Sequence, residues 1–264
     1  MAAPGMVRVP GAMLHVERRG AGDRPIVFIH GFGGDRTTWD GIWDALDPAR
    51  ATVRYDLRGF GGSIADAPEP FSHADDLAAL LDALAIGRCD LVGLSMGGAV
   101  ALDFALDRPG RVRRLVLVSP GVAGWDWSAE WRALWRPITA AARDGRMDEA
   151  RDLWWRHPLF ETTRAGPAAT GLRRSIMAYA GAQWIADLQR PVLPAVERLH
   201  AITAPMLLLT GARDLPDFRL IADLLAAAAP DVRRVDMPGR GHLLHLEDPS
   251  GTIGRLAAFL TLVS

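Results

Sequence analysis

Lysine is absent from this 264-residue sequence, so all thirty cationic side chains are arginine. Without lysine there can be no Schiff base to pyridoxal phosphate and no Walker A loop, whose lysine reaches nucleotide phosphates. Cysteine occurs once, at Cys89, which excludes an intrachain disulfide. Because it leads into the apolar run that ends at Ser95, this thiol is expected to be buried and structural. Long hydrophobic runs are missing too: no window reaches the ~18 to 20 apolar residues of a membrane span. Residues 1–20 show no basic stretch followed by a continuous apolar one, so no signal peptide is expected and a cytoplasmic location is the default. Nor is there an excess of charge of either sign. A formal net charge of -1 gives no pull toward nucleic acid or an anionic membrane. What is present is 49% hydrophobic residues over a length that accommodates one α/β domain with an inserted subdomain.

Short apolar, β-branched runs recur at residues 13–17, 26–29, 52–56, 90–92, 114–118, 206–210 and 232–236. Bounded by glycine, proline or aspartate, they read as buried strands. Helical segments are expected between them, near residues 38–46, 73–84, 95–106, 217–229 and 249–262, which makes the whole a doubly wound α/β fold with a largely parallel sheet.

The alternation breaks between residues 121 and 194, where seven of the nine tryptophans fall. Trp127, Trp131 and Trp135 repeat every four residues, which places one indole above another on a single helical face. The pattern predicts a helical cap over 121–194, set into a core formed by 1–120 and 195–264. An insertion at that point sits over the carboxyl ends of the strands, where such sheets bind ligands, so part of its aromatic set should line an apolar pocket. Trp125, Trp131, Trp135 and Trp155 are the candidates there, with Leu243 from the core; any one of them could equally be packing. The arginines of the segment, Arg132 and Arg136 among them, read as a solvated face paired with Asp148 and Glu149, or else as a bidentate site for a substrate carboxylate.

The strongest chemical signal is Gly93-Leu94-Ser95-Met96-Gly97-Gly98, set between a strand-like and a helical run. A sharp turn there would strain the serine backbone and lift its hydroxyl above the sheet, and glycines two residues to either side would leave room where strand and helix nearly touch. His30-Gly31-Phe32-Gly33-Gly34 follows another strand. Its Phe32 N–H, with that of Met96, is the candidate pair of donors for the negative charge that acyl transfer develops on a carbonyl oxygen. His30 reads as a structural residue of this loop.

A base for Ser95 should come from a late loop, and Gly239-Arg240-Gly241-His242 supplies one, with His245 as the alternative. The remaining histidines, His15, His73, His157 and His200, lack such a context and read as surface or cap residues. A carboxylate to fix the imidazole is found in Gly211-Ala212-Arg213-Asp214. Asp217 is the alternative, although behind Pro216 it looks more like a helix N-cap.

The order serine, aspartate, histidine, together with these loops and Asp56-Leu57-Arg58-Gly59-Phe60-Gly61-Gly62-Ser63, resembles the cofactor-independent α/β-hydrolases over nearly the whole chain outside the cap. That resemblance implies an eight-stranded, mostly parallel sheet, a helical lid after the sixth strand, and neither cofactor nor metal. Members with haloalkane dehalogenase or epoxide hydrolase activity carry aspartate where this chain has Ser95. The likeness is therefore to the esterase, enol-lactonase and cofactor-free haloperoxidase branch, and it implies cleavage of a small, largely apolar carboxylic ester or lactone through an acyl-enzyme. Two alternatives stay open: a carbon-carbon bond hydrolase of ring-cleavage products, which often carries tryptophan where this chain has Leu243, and a low-turnover ligand receptor. In each case the partner is a small molecule.

Overall fold

A strand covered by helices on both faces has no polar side, and the run Cys89–Leu94 is buried at every position. It lies in the middle of a nine-stranded sheet seen in a computed structural model that describes residues 5–261. The strands are β1 (Gly5–Val9), β2 (Ala12–Arg19), β3 (Ala21–Ile29), β4 (Arg50–Tyr55), β5 (Ile64–Ala65), β6 (Cys89–Leu94), β7 (Val112–Val118), β8 (Met206–Gly211) and β9 (Val232–Met237). Eight of them follow the order β1-β2-β4-β3-β6-β7-β8-β9, and the two-residue β5 pairs only with β2. From β4 to β9 every pairing is parallel, while β2 is antiparallel to its neighbours.

Register decides where the loops meet. Ile29 of β3 stands opposite Gly93 of β6, and Leu94 stands opposite Val118 of β7, so three strands end at one level. Gly211 of β8 likewise faces Met237 of β9. The loops that follow β3, β6, β8 and β9 therefore emerge along one edge.

Helices α1 (Asp40–Ala45), α2 (His73–Ala83) and α3 (Met96–Asp107) fill the connections before β7. Helices α4 (Ala129–Arg143), α5 (Met147–Arg156), α6 (Glu161–Arg164), α7 (Ala169–Ala178) and α8 (Ala182–Ile185) all lie between β7 and β8. The core resumes with α9 (Pro216–Ala228), α10 (Leu244–Glu247) and α11 (Pro249–Thr261). Cys89 is buried, and that burial pushes its thiol up to about 12.

Several elements depart from expectation. Strand β1 carries no apolar run and only Val9 is buried, because an edge strand is held by backbone pairing rather than by side chains. The helix expected from residue 38 is preceded by a 3₁₀ turn over Arg36–Trp39, which Asp35 initiates by accepting from the Thr37 N–H at 2.7 Å. Asp217 does not cap its own helix, whose N-cap is Leu215. Its carboxylate reaches into the helical insert, accepting from Trp125 Nε1 (3.0 Å), Ser128 N (3.0 Å) and Ser128 Oγ (2.6 Å). Ser128 in turn caps α4. The expected helix end at residue 262 and the ends of the expected core, 1–4 and 262–264, lie outside the described residues.

Candidate active site

Ser95 sits between β6 and α3 with φ 51° and ψ -114°, a conformation that side chains rarely adopt. Four backbone hydrogen bonds hold it there. Its N–H donates to Val118 O at 3.0 Å, and its carbonyl accepts from Gly98, Ala99 and Gly121 at 2.9, 3.1 and 2.9 Å. The flanking glycines are a steric requirement: a Cβ on Gly93 would lie 2.4 Å from Gly97 O, and one on Gly97 would lie 2.3 Å from Ile29 O. The turn thus drives α3 against the ends of two strands and presents the hydroxyl at a helix N-terminus, where the dipole favours developing negative charge.

His242 follows β9 through a turn at Gly239, and this loop is stitched to the one after β8 by Arg213 N to Arg240 O (2.8 Å) and Ala212 N to Met237 O (3.1 Å). The stitching brings Asp214 to His242, whose Nδ1 lies 2.9 and 3.1 Å from the two carboxylate oxygens. A carboxylate only accepts, so the pairing places a proton on Nδ1 and leaves the Nε2 lone pair available. Asp214 is itself held by the Leu215 N–H at 2.7 Å, and Phe218 packs on the imidazole with ring centroids 4.3 Å apart. Both partners of the pair are almost fully buried.

Among the described residues Nε2 has no hydrogen-bond partner. The imidazole and Ser95 line the same cavity, but the hydroxyl-to-imidazole link expected from the sequence is not formed in this structure. A serine hydroxyl rotates freely, and bonds of this kind commonly close only around substrate.

The oxyanion candidates also border the cavity. Neither the Phe32 N–H nor the Met96 N–H donates a hydrogen bond among the described residues. The loop after β3, which carries Phe32, is tied to the loop after β4 by His30, whose Nε2 accepts from the Leu57 N–H at 3.0 Å while Nδ1 meets Gly31 O at 2.8 Å. Burial holds this imidazole below its ordinary value, so it stays neutral.

His245 borders the cavity without a carboxylate partner, both of its nitrogens being unpaired among the described residues. Burial, and then the nearby His242, lower it to about 3. Trp39 packs on its ring at 5.2 Å, but an imidazole with no carboxylate to fix its tautomer makes a poor base, which favours His242. His73 is a correction, since it is buried in the core rather than an ordinary surface group, while His157 lies in the insert, as one of the alternatives had it, and is buried there. His73 packs against Phe60 and Phe71, and His157 against Trp131 and Trp154. His15 is half-buried and His200 exposed.

The cavity encloses about 1190 Å³. Trp127, just ahead of the Ser128 cap, stacks on Trp131 of α4 (4.6 Å) and Trp131 on Trp135 (5.8 Å); the shared helical face expected from the four-residue spacing holds for Trp131 and Trp135, while Trp127 joins the stack from outside the helix, and all three indoles line the cavity. Phe32 meets Trp135 edge-on at 5.1 Å, closing core against insert. Leu243 also lines the space, whereas Trp125 and Trp155 do not. The Trp125 N–H is drawn to Asp217 instead. Trp155 lies one residue beyond Trp154, roughly 100° further round α5, and turns outward beneath the guanidinium groups of Arg164 and Arg173. Trp154 takes the place assigned to it. Phe218 and Trp154 escape sequence reasoning because a single buried aromatic carries no periodic signal, whereas Trp127 belongs to the four-residue series. Among the described residues no group of three or more His, Cys, Asp or Glu side chains converges as metal ligands would. None of the described helices is long and apolar enough to cross a membrane.

A strained serine over a parallel sheet, facing an aspartate-held histidine across a cavity, is the arrangement of one large class, and residues 26–255 match the model of the alpha/beta hydrolase family. The chain belongs to that family and is a hydrolase. It is 32% identical, over 89% of its length and 93% of the other chain, to 2-succinyl-6-hydroxy-2,4-cyclohexadiene-1-carboxylate synthase of Klebsiella pneumoniae. It is 30% identical to the pimeloyl-[acyl-carrier protein] methyl ester esterase of Nitrosomonas europaea, over 90% of this chain and 96% of that one. Among solved structures, the thermophilic esterase of Thermogutta terrifontis superposes with a TM-score of 0.81 at 27% identity, covering 98% of both chains.

Proposed function

We propose that this hydrolase cleaves a small, largely apolar carboxylic ester or lactone through an acyl-enzyme on Ser95, with residues 121–194 acting as a cap. The observation that carries the reading is the Asp214–His242 pair, which leaves an unshared lone pair on the imidazole that shares a cavity with Ser95. Nε2 of His242 takes the hydroxyl proton as Oγ bonds to the substrate carbonyl carbon. The displaced electron pair resides on the carbonyl oxygen, where the N–H groups of Phe32 and Met96 stabilise it. Collapse breaks the bond to the alcohol oxygen, and the imidazolium protonates that leaving group. Water then gives a proton to His242, attacks the acyl carbon and releases the acid, and Ser95 recovers its proton. From a lactone, both halves leave as one hydroxy acid. Indole walls suit an apolar acyl or alcohol group.

A second reading has its own support. Arg132, Arg136 and Arg174 border the cavity, and relatives named for making a cyclohexadiene carboxylate handle an anionic molecule. A carboxylate-bearing dienone would then be the substrate, with a carbon-carbon bond broken on the same residues.

One experiment decides among these: turnover of activated esters, lactones and carboxylate-bearing dienones by the wild type and by Ser95→Ala. Repeated turnover of esters or lactones that disappears in the variant is expected. Undiminished hydrolysis by Ser95→Ala refutes the nucleophile. Dienones turned over with the higher kcat/KM establish the second reading, and a single stoichiometric release points to a receptor.

A further inference from the structure

Glu247 ends α10, five residues beyond His242, and its half-buried carboxylate is directed at the histidine loop rather than at solvent. Oε2 accepts from the Gly241 N–H at 2.5 Å and Oε1 from the Leu243 N–H at 3.4 Å, so one side chain grips the backbone on both sides of His242. Oε1 also accepts from the hydroxyl of Thr163 at 2.6 Å. Thr163 belongs to α6 of the insert and is 1% exposed. The insert seats tightly here, for a Cβ on Gly241 would lie 2.7 Å from Thr162 Oγ1. Nothing else described in α6 bonds to the histidine loop.

We infer that Glu247 is a positioning residue that couples the seating of the cap, sensed through Thr163, to the placement of the His242 imidazole. The inference rests on His242 being the base of the proposed reaction. Asp214 fixes the direction of the ring by its Nδ1–H, but the position of the ring relative to Ser95 is set by the backbone of residues 241–243. Two N–H groups and one hydroxyl on a single carboxylate hold that backbone. When the cap lifts at α6, the carboxylate loses the hydroxyl that orients it, and the loop is held less firmly. Product departure and the return of Nε2 to register are then linked events.

The test reads Ser95 reactivity with a fluorophosphonate probe, which bonds to an activated serine as fluoride leaves, alongside kcat and KM on an activated ester. Wild type should label and Ser95→Ala should not. Glu247→Ala should label about 10- to 100-fold more slowly and lose kcat by the same factor with KM changed less than about threefold, the penalty of a displaced but intact catalytic group. Glu247→Gln should recover to within about threefold of wild type, since its carbonyl can accept from Gly241 and its amide can donate to Thr163 Oγ1. Thr163→Val should slow labelling about 3- to 10-fold, and by nothing further in the Glu247→Ala background. Wild-type labelling in Glu247→Ala overturns the inference, as does full additivity with Thr163→Val. Glutamine as slow as alanine overturns it too, because charge would then matter rather than position. A wild type that fails to label refutes the serine reading itself, and this inference with it.

Discussion

The two halves of the cavity are built by different means. On the core side the groups are fixed by backbone hydrogen bonds: four on Ser95, the two stitches between the loops after β8 and β9, and the Leu57 bond to His30. On the insert side Trp127, Trp131, Trp135 and Trp154 meet the space through ring packing alone. Hydrogen bonds define position within tenths of an ångström, whereas stacked rings define a shape that changes when one is replaced. The core is thus suited to holding reacting atoms, and the insert to selecting what reaches them.

The sharpest way to break this division is through the histidine. His242→Ala is expected to lower kcat by about 10⁵-fold, and Asp214→Asn, which reverses the tautomer, by about 10⁴-fold. His245→Ala should keep at least about a tenth of the wild-type rate. Equal losses at the two histidines, measured on one ester, would remove the distinction drawn here.

On the insert side, Trp131→Ala and Trp135→Ala should raise KM about 10-fold while kcat stays within about threefold, as expected when uniform binding is lost. Trp155→Ala, facing Arg164 and Arg173, should leave KM unchanged. A fall in kcat with unchanged KM at Trp131 would mean that the insert positions reacting atoms as well.

Each region also buries a histidine, His73 on α2 and His157 after α5. Burial lowers His73 to about 3, with His30 and Arg58 adding to it, and lowers His157 to about 4, with His242 and Arg164 adding. Both fall from an ordinary 6.5, so the unfolded chain takes up the proton first as pH drops. The stability tied to each neutral ring is complete above that value and is lost progressively down to the folded value. In the pH range between the two, His73→Phe should flatten the acid loss by about 1 kcal/mol per pH unit, read from denaturant midpoints. His157→Phe should do so over a narrower window.

Much of this was legible from residue order. Strands β6, β7 and β8 are buried on both faces and announce themselves as apolar runs, and the elbow glycines are forced by contacts that their spacing reports. Strand β1 was not legible because backbone pairing leaves no trace in side chains. Trp155 and Asp217 were misplaced for a related reason. The direction of an indole or a carboxylate depends on a partner far away in the chain, Arg173 for one and Ser128 for the other.

The backbone at Ser95 has a consequence for the molecule as a whole. A dihedral pair near φ 51°, ψ -114° is one that only glycine takes without penalty, so folding alone would not choose serine there. A glycine at this position should give a chain that is inert yet melts at a higher temperature, and inactive descendants of this protein would be free to drift toward it. The strain at this turn would then be the thermodynamic cost of holding an alcohol there.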